Sequence, residues 1–333
     1  MGRSIWLVIL IFFSVFAGCK KNSSRQSQSS SHTILQSIPE KDREVLDSFF
    51  QFLLSKDTFA YTLFGKKPMS VTPYIQVTSG ATGIIYQRGI YHPSDYFTLE
   101  KGWELWKNYG ALFPSDEFVL KECKEDELVT IFLINKSQVL NTISENLNTF
   151  EEILDRQIRP QDFLQQLCDP HQDIMESLND SSSLLGILLG YGKTNAMLFE
   201  RKSNILTHLV EKMTPPFSSR HDVENLQPFG QYFVNRCKSR TFIQTIPICS
   251  PSPQYNSLAD EFNDILSNEE GFELYGSDYL LDRFNSPVFM MRKEDPETKE
   301  LEKAYFATKL QLHQIYQQGP FLEITLNQWM YPK

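Results

Sequence analysis

The run Ile5–Phe16 is apolar apart from Ser14, follows the lone charge of Arg3, and ends at Ala17-Gly18-Cys19. A charged start, a short apolar stretch and small residues are the three parts of a secretory signal. Residues 1–18 are therefore expected to be removed rather than folded. An uncleaved membrane helix is the alternative, but a hydrocarbon core takes about 20 apolar residues to cross. Only sixteen residues separate Arg3 from Lys20. The next stretch, Lys20–Gln36 (KKNSSRQSQSSSHTILQ), has few large apolar side chains before Ile34. It cannot bury enough surface to offset its chain entropy, so residues 19–36 are expected to form a flexible Ser-rich tether. The fold is thereby confined to residues 37–333.

That body is long enough for one large domain or two lobes. Its periodicity is mostly helical. Ser37-Ile38-Pro39-Glu40 has the spacing of a capping box, and Val45, Leu46, Phe49, Phe50, Leu53 and Leu54 recur on one face behind it. A short apolar segment, Phe59–Phe64, stops at Gly65. Leu99, Trp103, Trp106 and Tyr109 share a face of a helix opened by Thr98, and Val139 to Leu154 reads as one further helix. Pro160 and Pro170 bracket another, containing Phe163, Leu164 and Leu167. Near the end, Asp295 and Pro296 open a long helix that Gly319-Pro320 close.

Strand signals are fewer. Phe118–Cys123 and Leu128–Ile134, joined by Lys124-Glu125-Asp126-Glu127, predict a hairpin, and a second is expected within 73–90. Thr241–Ile248 and Val288–Arg292 are strand-like. Met213–Gly230 (MTPPFSSRHDVENLQPFG) is the sharpest break in composition and the candidate lobe boundary. These elements predict a predominantly helical α+β body with a small antiparallel sheet.

Of 32 basic and 41 acidic residues, Arg3, Lys20, Lys21 and Arg25 lie ahead of Ser37, leaving 28 basic against 41 acidic in the body, a formal charge of −13. An acidic body without a basic stripe repels phosphate backbones, so no nucleic-acid partner is expected. Besides Cys19 there are Cys123, Cys168, Cys237 and Cys249. Cys237 and Cys249 flank the strand-like run at 241–248 and would meet across a bend as a disulfide; free buried thiols are the other reading. No C-x-x-C or Cys/His cluster suggests a metal.

Phe16-Ala17-Gly18-Cys19 resembles the lipobox of bacterial lipoproteins, with Phe16 standing where leucine is usual. The resemblance implies that the Cys19 thiol receives a diacylglycerol before the signal is cut, which makes the membrane a partner through the lipid anchor. Lys20 is not the aspartate associated with inner-membrane retention, so the resemblance points to the outer membrane.

Each stretch that invites a catalytic motif also has a plainer reading. Gly192-Lys193-Thr194 invites a phosphate loop, but G-x-x-x-x-G-K-[ST] needs glycine at 187, where Ile187 stands. Gly186 and Gly190, four apart, are better read as close contacts of a buried helix. Trp103, Trp106 and Tyr109 would make an aromatic platform for sugar or lipid, yet at helical spacing with Leu99 they read as core. There is no H-E-x-x-H and no G-x-S-x-G; His221-Asp222 lies in the Pro-rich break. Glu151-Glu152 and Glu269-Glu270 read as solvated faces. No catalytic, cofactor-binding or metal residue is expected, and no cofactor.

Ala60–Ser70 (AYTLFGKKPMS) and Gly186–Ala196 (GILLGYGKTNA) resemble recurring segments in a group of uncharacterised lipoproteins of intracellular bacteria. That resemblance implies no activity. The function expected is that of a lipid-anchored envelope lipoprotein, a non-enzymatic binding or structural protein with an unknown protein or small-molecule partner. The alternative is an envelope hydrolase whose site is assembled from distant residues.

Overall fold

A computed structural model describes residues 31–75, 93–125, 128–211, 253–271, 284, 285, 287, 289–292 and 294–332. The fold is α+β and predominantly helical, with one small three-stranded antiparallel sheet. Cys19, Cys237, Cys249, His221-Asp222, the strand-like run at 241–248, the break at 213–230 and most of the hairpin expected within 73–90 lie outside the described residues.

The chain enters through a helical segment, α1 (31–37). Leu35 is buried, and the Ser31 hydroxyl donates to Asn327 Oδ1 at 2.6 Å. Contacts with the body therefore begin ahead of Ser37, inside the stretch read as tether. The expected capping box does not form. The Ser37 hydroxyl turns back to donate to the Ile34 carbonyl at 2.6 Å, and Pro39 takes the N-cap of α2 (Glu40–Gln51). Phe52–Lys56 continues α2 as a π-helical turn, and α3 (Phe59–Phe64) follows.

The sheet supplies the middle layer. Strand β1 (Met69–Ile75) leads toward α4, which runs over Pro93–Tyr109 and so begins ahead of the expected Thr98; buried Tyr96 explains the earlier start. The predicted hairpin is present as β2 (Phe118–Glu125) and β3 (Leu128–Asn135). Strand order is β1-β3-β2, all antiparallel, with Met69 opposite Ile134 and Phe118 opposite Asn135.

Side chains alternate across a strand, and β3 uses both faces. Val129, Ile131 and Leu133 join one core, with Phe49, Phe50, Trp103, Trp106 and Trp329; Phe132 and Ile134 join a second, with Phe150, Phe163 and Leu184. The helices of the second layer are α5 (Lys136–Glu145), α6 (Leu147–Leu154), α7 (Pro160–Cys168), α8 (Ile174–Ser177) and α9 (Ser182–Leu188). The single helix expected from Val139 to Leu154 is broken at Asn146, whose side chain donates to the Thr142 carbonyl at 2.9 Å.

Beyond α9 come α10 (Lys193–Glu211) and α11 (Pro253–Asn268), then a two-stranded ribbon of β4 (Glu269–Gly271) and β5 (Met290–Arg292). Helix α12 (Pro296–Ile315) starts as predicted, with the Asp295 carboxylate accepting the Thr298 N–H at 2.9 Å. The last helix, α13 (Phe321–Met330), closes the first core. Trp329 stacks on Phe118 with ring centroids 5.8 Å apart and donates to the Phe113 carbonyl at 2.8 Å.

Candidate functional site

The two segments singled out by resemblance meet in space. Gly190 lies against the loop between α3 and β1 so closely that a Cβ there would come within 3.0 Å of Pro68 Cδ and 3.4 Å of Lys67 Cγ. Gly190 and Gly192 have φ of 74° and 84°, the left-handed region where glycine carries no steric penalty. Tyr191 between them is held over the Lys67 ammonium, 5.8 Å from Nζ to ring centroid.

Lys67 is only 1% exposed. Its backbone N–H donates to the Tyr61 carbonyl at 3.3 Å, and its ammonium donates to the Met69 carbonyl at the start of β1. Desolvation penalises the charged form of a buried amine. It lowers the Lys67 pKa from 10.5 to about 7, with Asp57 pulling the other way.

Aromatic rings close the surroundings. Tyr61 and Tyr305 meet edge to face at 5.6 Å, Tyr191 stacks on Phe289 at 4.8 Å, and the Tyr305 hydroxyl donates to the Gly190 carbonyl at 2.5 Å. Burial pushes the Tyr191 hydroxyl up to about 12 and raises that of Tyr305, with Tyr191 and Tyr61 adding to the latter.

The first turn of α10 resolves the phosphate-loop question. The N–H groups of Lys193 and Thr194, which a nucleotide phosphate would need, donate to the Glu297 carboxylate at 2.8 and 3.1 Å. A carboxylate at a helix N-terminus is favoured by the helix dipole, so this anion site is filled from within. Asn195 completes the joint. Its Nδ2 donates to the Tyr191 carbonyl at 2.8 Å and to Thr298 Oγ1 at 2.9 Å, while its Oδ1 accepts the Arg292 N–H at 3.0 Å.

The glycine reading holds at one position. A Cβ at Gly186 would sit 2.9 Å from that of Ala196, so α9 and α10 do approach closely there. Gly190 instead lies outside both helices, in the turn.

A second buried lysine has a different setting. Lys121 on β2 donates to the carbonyls of Leu167, Asp169 and Gln172 at 3.1, 2.6 and 2.5 Å, gathering the end of α7 and the loop behind it. Burial lowers its pKa, with Cys123 and Asp173 foremost among the groups that oppose the shift. Cys123 and Cys168 are free and half-buried; burial raises both thiols, which lowers their nucleophilic fraction at neutral pH.

Trp103 and Trp106 are buried in the first core, and Tyr109 donates to Asp42 Oδ2 at 2.7 Å. Glu151 Oε1 accepts the Ile158 N–H at 3.1 Å, and Glu152 is exposed. An apolar hollow lined by Phe50, Leu63, Leu120, Leu133 and Trp329 leaves about 10 Å3, room for about one water. Among the described residues, no group of three or more His, Cys, Asp and Glu is placed to hold a metal ion, and no helix is long and apolar enough to cross a membrane.

Lys67, Lys121, Asn195 and Glu297 were not singled out by sequence reasoning. Lys67 falls within one of the segments picked out by resemblance; Glu297 has no local signal, because its partners lie more than a hundred residues away. Comparisons with protein-family models, with curated proteins and with solved structures found no match to this chain.

Proposed function

We propose that the chain is a lipoprotein, anchored through Cys19 to the outer membrane, whose body serves as a non-enzymatic binding or structural protein. The observation that carries the anchor is Phe16-Ala17-Gly18-Cys19 directly behind the apolar run, with a Ser-rich stretch after it. The non-catalytic half rests on how the two meeting segments use their polar groups. The amides of Lys193 and Thr194 face Glu297, the Lys67 ammonium faces a carbonyl and a ring, and Asn195 is engaged at both ends of its amide. Groups so engaged hold the chain to itself and leave little to meet a substrate.

The test is the intact mass of the membrane-bound protein. Loss of residues 1–18 with a diacylglyceryl and acyl addition on Cys19 is the expected result. A retained signal, or an unmodified Cys19, overturns the anchor. Residues 31–333, which keep the contacts of α1, are the form in which to seek co-purifying lipid, glycan or protein. Turnover of an envelope polymer by that form would overturn the non-enzymatic reading.

A further inference from the structure

We propose that the Gly190–Gly192 turn is an acid-released latch over Lys67, in which protonation of the buried amine loosens the turn from α12 and exposes Tyr191. The geometry has three parts. The amine has no exit while the turn is closed, because the backbone of Gly190 lies on the lysine stem and on Pro68. The turn is flanked by two glycines of positive φ, so its backbone can leave this conformation without side-chain obstruction. It is fastened by contacts that opening would have to break, the Tyr305 hydroxyl on the Gly190 carbonyl, Asn195 on the Tyr191 carbonyl, Tyr191 stacked on Phe289, and Glu297 on the first amides of α10.

Burial, rather than any group facing it, favours the neutral form of Lys67. The Asp57 carboxylate ahead of α3 is the charge that favours protonation. From α3 comes the Tyr61 carbonyl, from β1 the Met69 carbonyl, and from the turn the face of Tyr191. Strand β3 contributes an uncharged contact, the Asn135 N–H on the Pro68 carbonyl at 3.0 Å. Helix α12 brings Tyr305 and Glu297 to the turn, and Lys66 and Lys193, next along the chain, are exposed. One carbonyl, one ring and the charge of Asp57 compensate only in part for an ammonium out of water. Burial accordingly favours the amine above about pH 7, and release to solvent restores its ordinary basicity. Opening therefore becomes easier as pH falls toward 7, and levels off below it.

The test uses the wild-type protein and an amine-acylating reagent, with exposed Lys66 as the internal standard. Acylation proceeds from the open state, so the Lys67-to-Lys66 labelling ratio reads the opening equilibrium with the intrinsic pH dependence cancelled. We expect that ratio to rise about a hundredfold between pH 9 and pH 6. Amide protection factors over residues 190–196, which divide out the base-catalysed intrinsic rate, should fall with it while β2 and β3 stay protected. Lys67→Met should keep the turn protected at both pH values. A flat labelling ratio overturns the latch, as does a rise that appears only together with exchange throughout the sheet. The labelling needs no variant, so a Lys67→Met protein that fails to fold leaves the test intact.

Discussion

Glu297 holds the backbone N–H of Lys193 at 2.8 Å, although 104 residues separate the two. Helix starts are usually capped by a neighbour in sequence; here the cap for α10 arrives from α12. Removing it in Glu297→Ala leaves two amides without their acceptor and takes a negative charge from the positive end of a helix dipole. The expected loss is about 1–2 kcal/mol, measured by urea unfolding, with Glu297→Gln falling between.

The same contact predicts indifference to nucleotides. Adding ATP or GTP with magnesium should leave the melting temperature unchanged, because the amides beside Gly192 already face a carboxylate. A concentration-dependent rise in the wild-type protein would contradict this.

Stability should depend on Lys67 over a defined pH window. Its folded pKa of about 7 lies below the ordinary 10.5, so between those values the unfolded chain binds more protons and stability rises with pH. Below about pH 7 both states are protonated, and the burial penalty, on the order of 4–5 kcal/mol, is present in full. Above about pH 10 the buried tyrosines act in the opposite sense, because the unfolded chain ionises first. Denaturant midpoints from pH 7 to 10 should therefore rise more steeply in the wild-type protein than in Lys67→Met, since the lowered Lys121 and the raised thiols of Cys123 and Cys168 act equally on both.

Lys121→Met should destabilise by about 2–3 kcal/mol, since the carbonyls of Leu167, Asp169 and Gln172 lose their shared donor at once. Hydrogen exchange would show the loss centred on the end of α7 and on α8, which distinguishes it from a general weakening of the sheet.

Gly102→Ala should cost about 1–3 kcal/mol by overpacking. A Cβ at this position on α4 would lie 2.3 Å from Phe49 Cβ on α2, and both backbones are fixed by buried aromatic rings. Thermal denaturation measures it directly.

Much of the fold follows from periodicity, and the reasons for the misses are physical. The β2–β3 hairpin was legible because two apolar runs are joined by a charged tetrapeptide, and α12 because Asp295 and Pro296 announce it. Trp103 and Trp106 were correctly read as core from spacing with Leu99. Placing Gly186 and Gly190 on one buried helix failed at the second glycine, because nothing in the pattern distinguishes one long helix from two helices joined by a turn; the positive φ of Gly190 and Gly192 makes that difference. The capping box at Ser37 failed because Ser37 ends α1 and Pro39 takes the N-cap of α2. The joint itself was illegible for another reason. Lys67 is buried by a turn more than a hundred residues later, and Asn195 and Glu297 find partners at similar separations. Polar contacts of that range leave no period in a sequence.

The bond between Ser31 and Asn327 joins the entry of the body to its last helix. His32 adds a contact with Glu323 at 3.4 Å on the same pair of elements. Anything grafted behind α13, whether a fluorescent reporter or an affinity handle, would thus emerge beside α1, the first described helix of the chain.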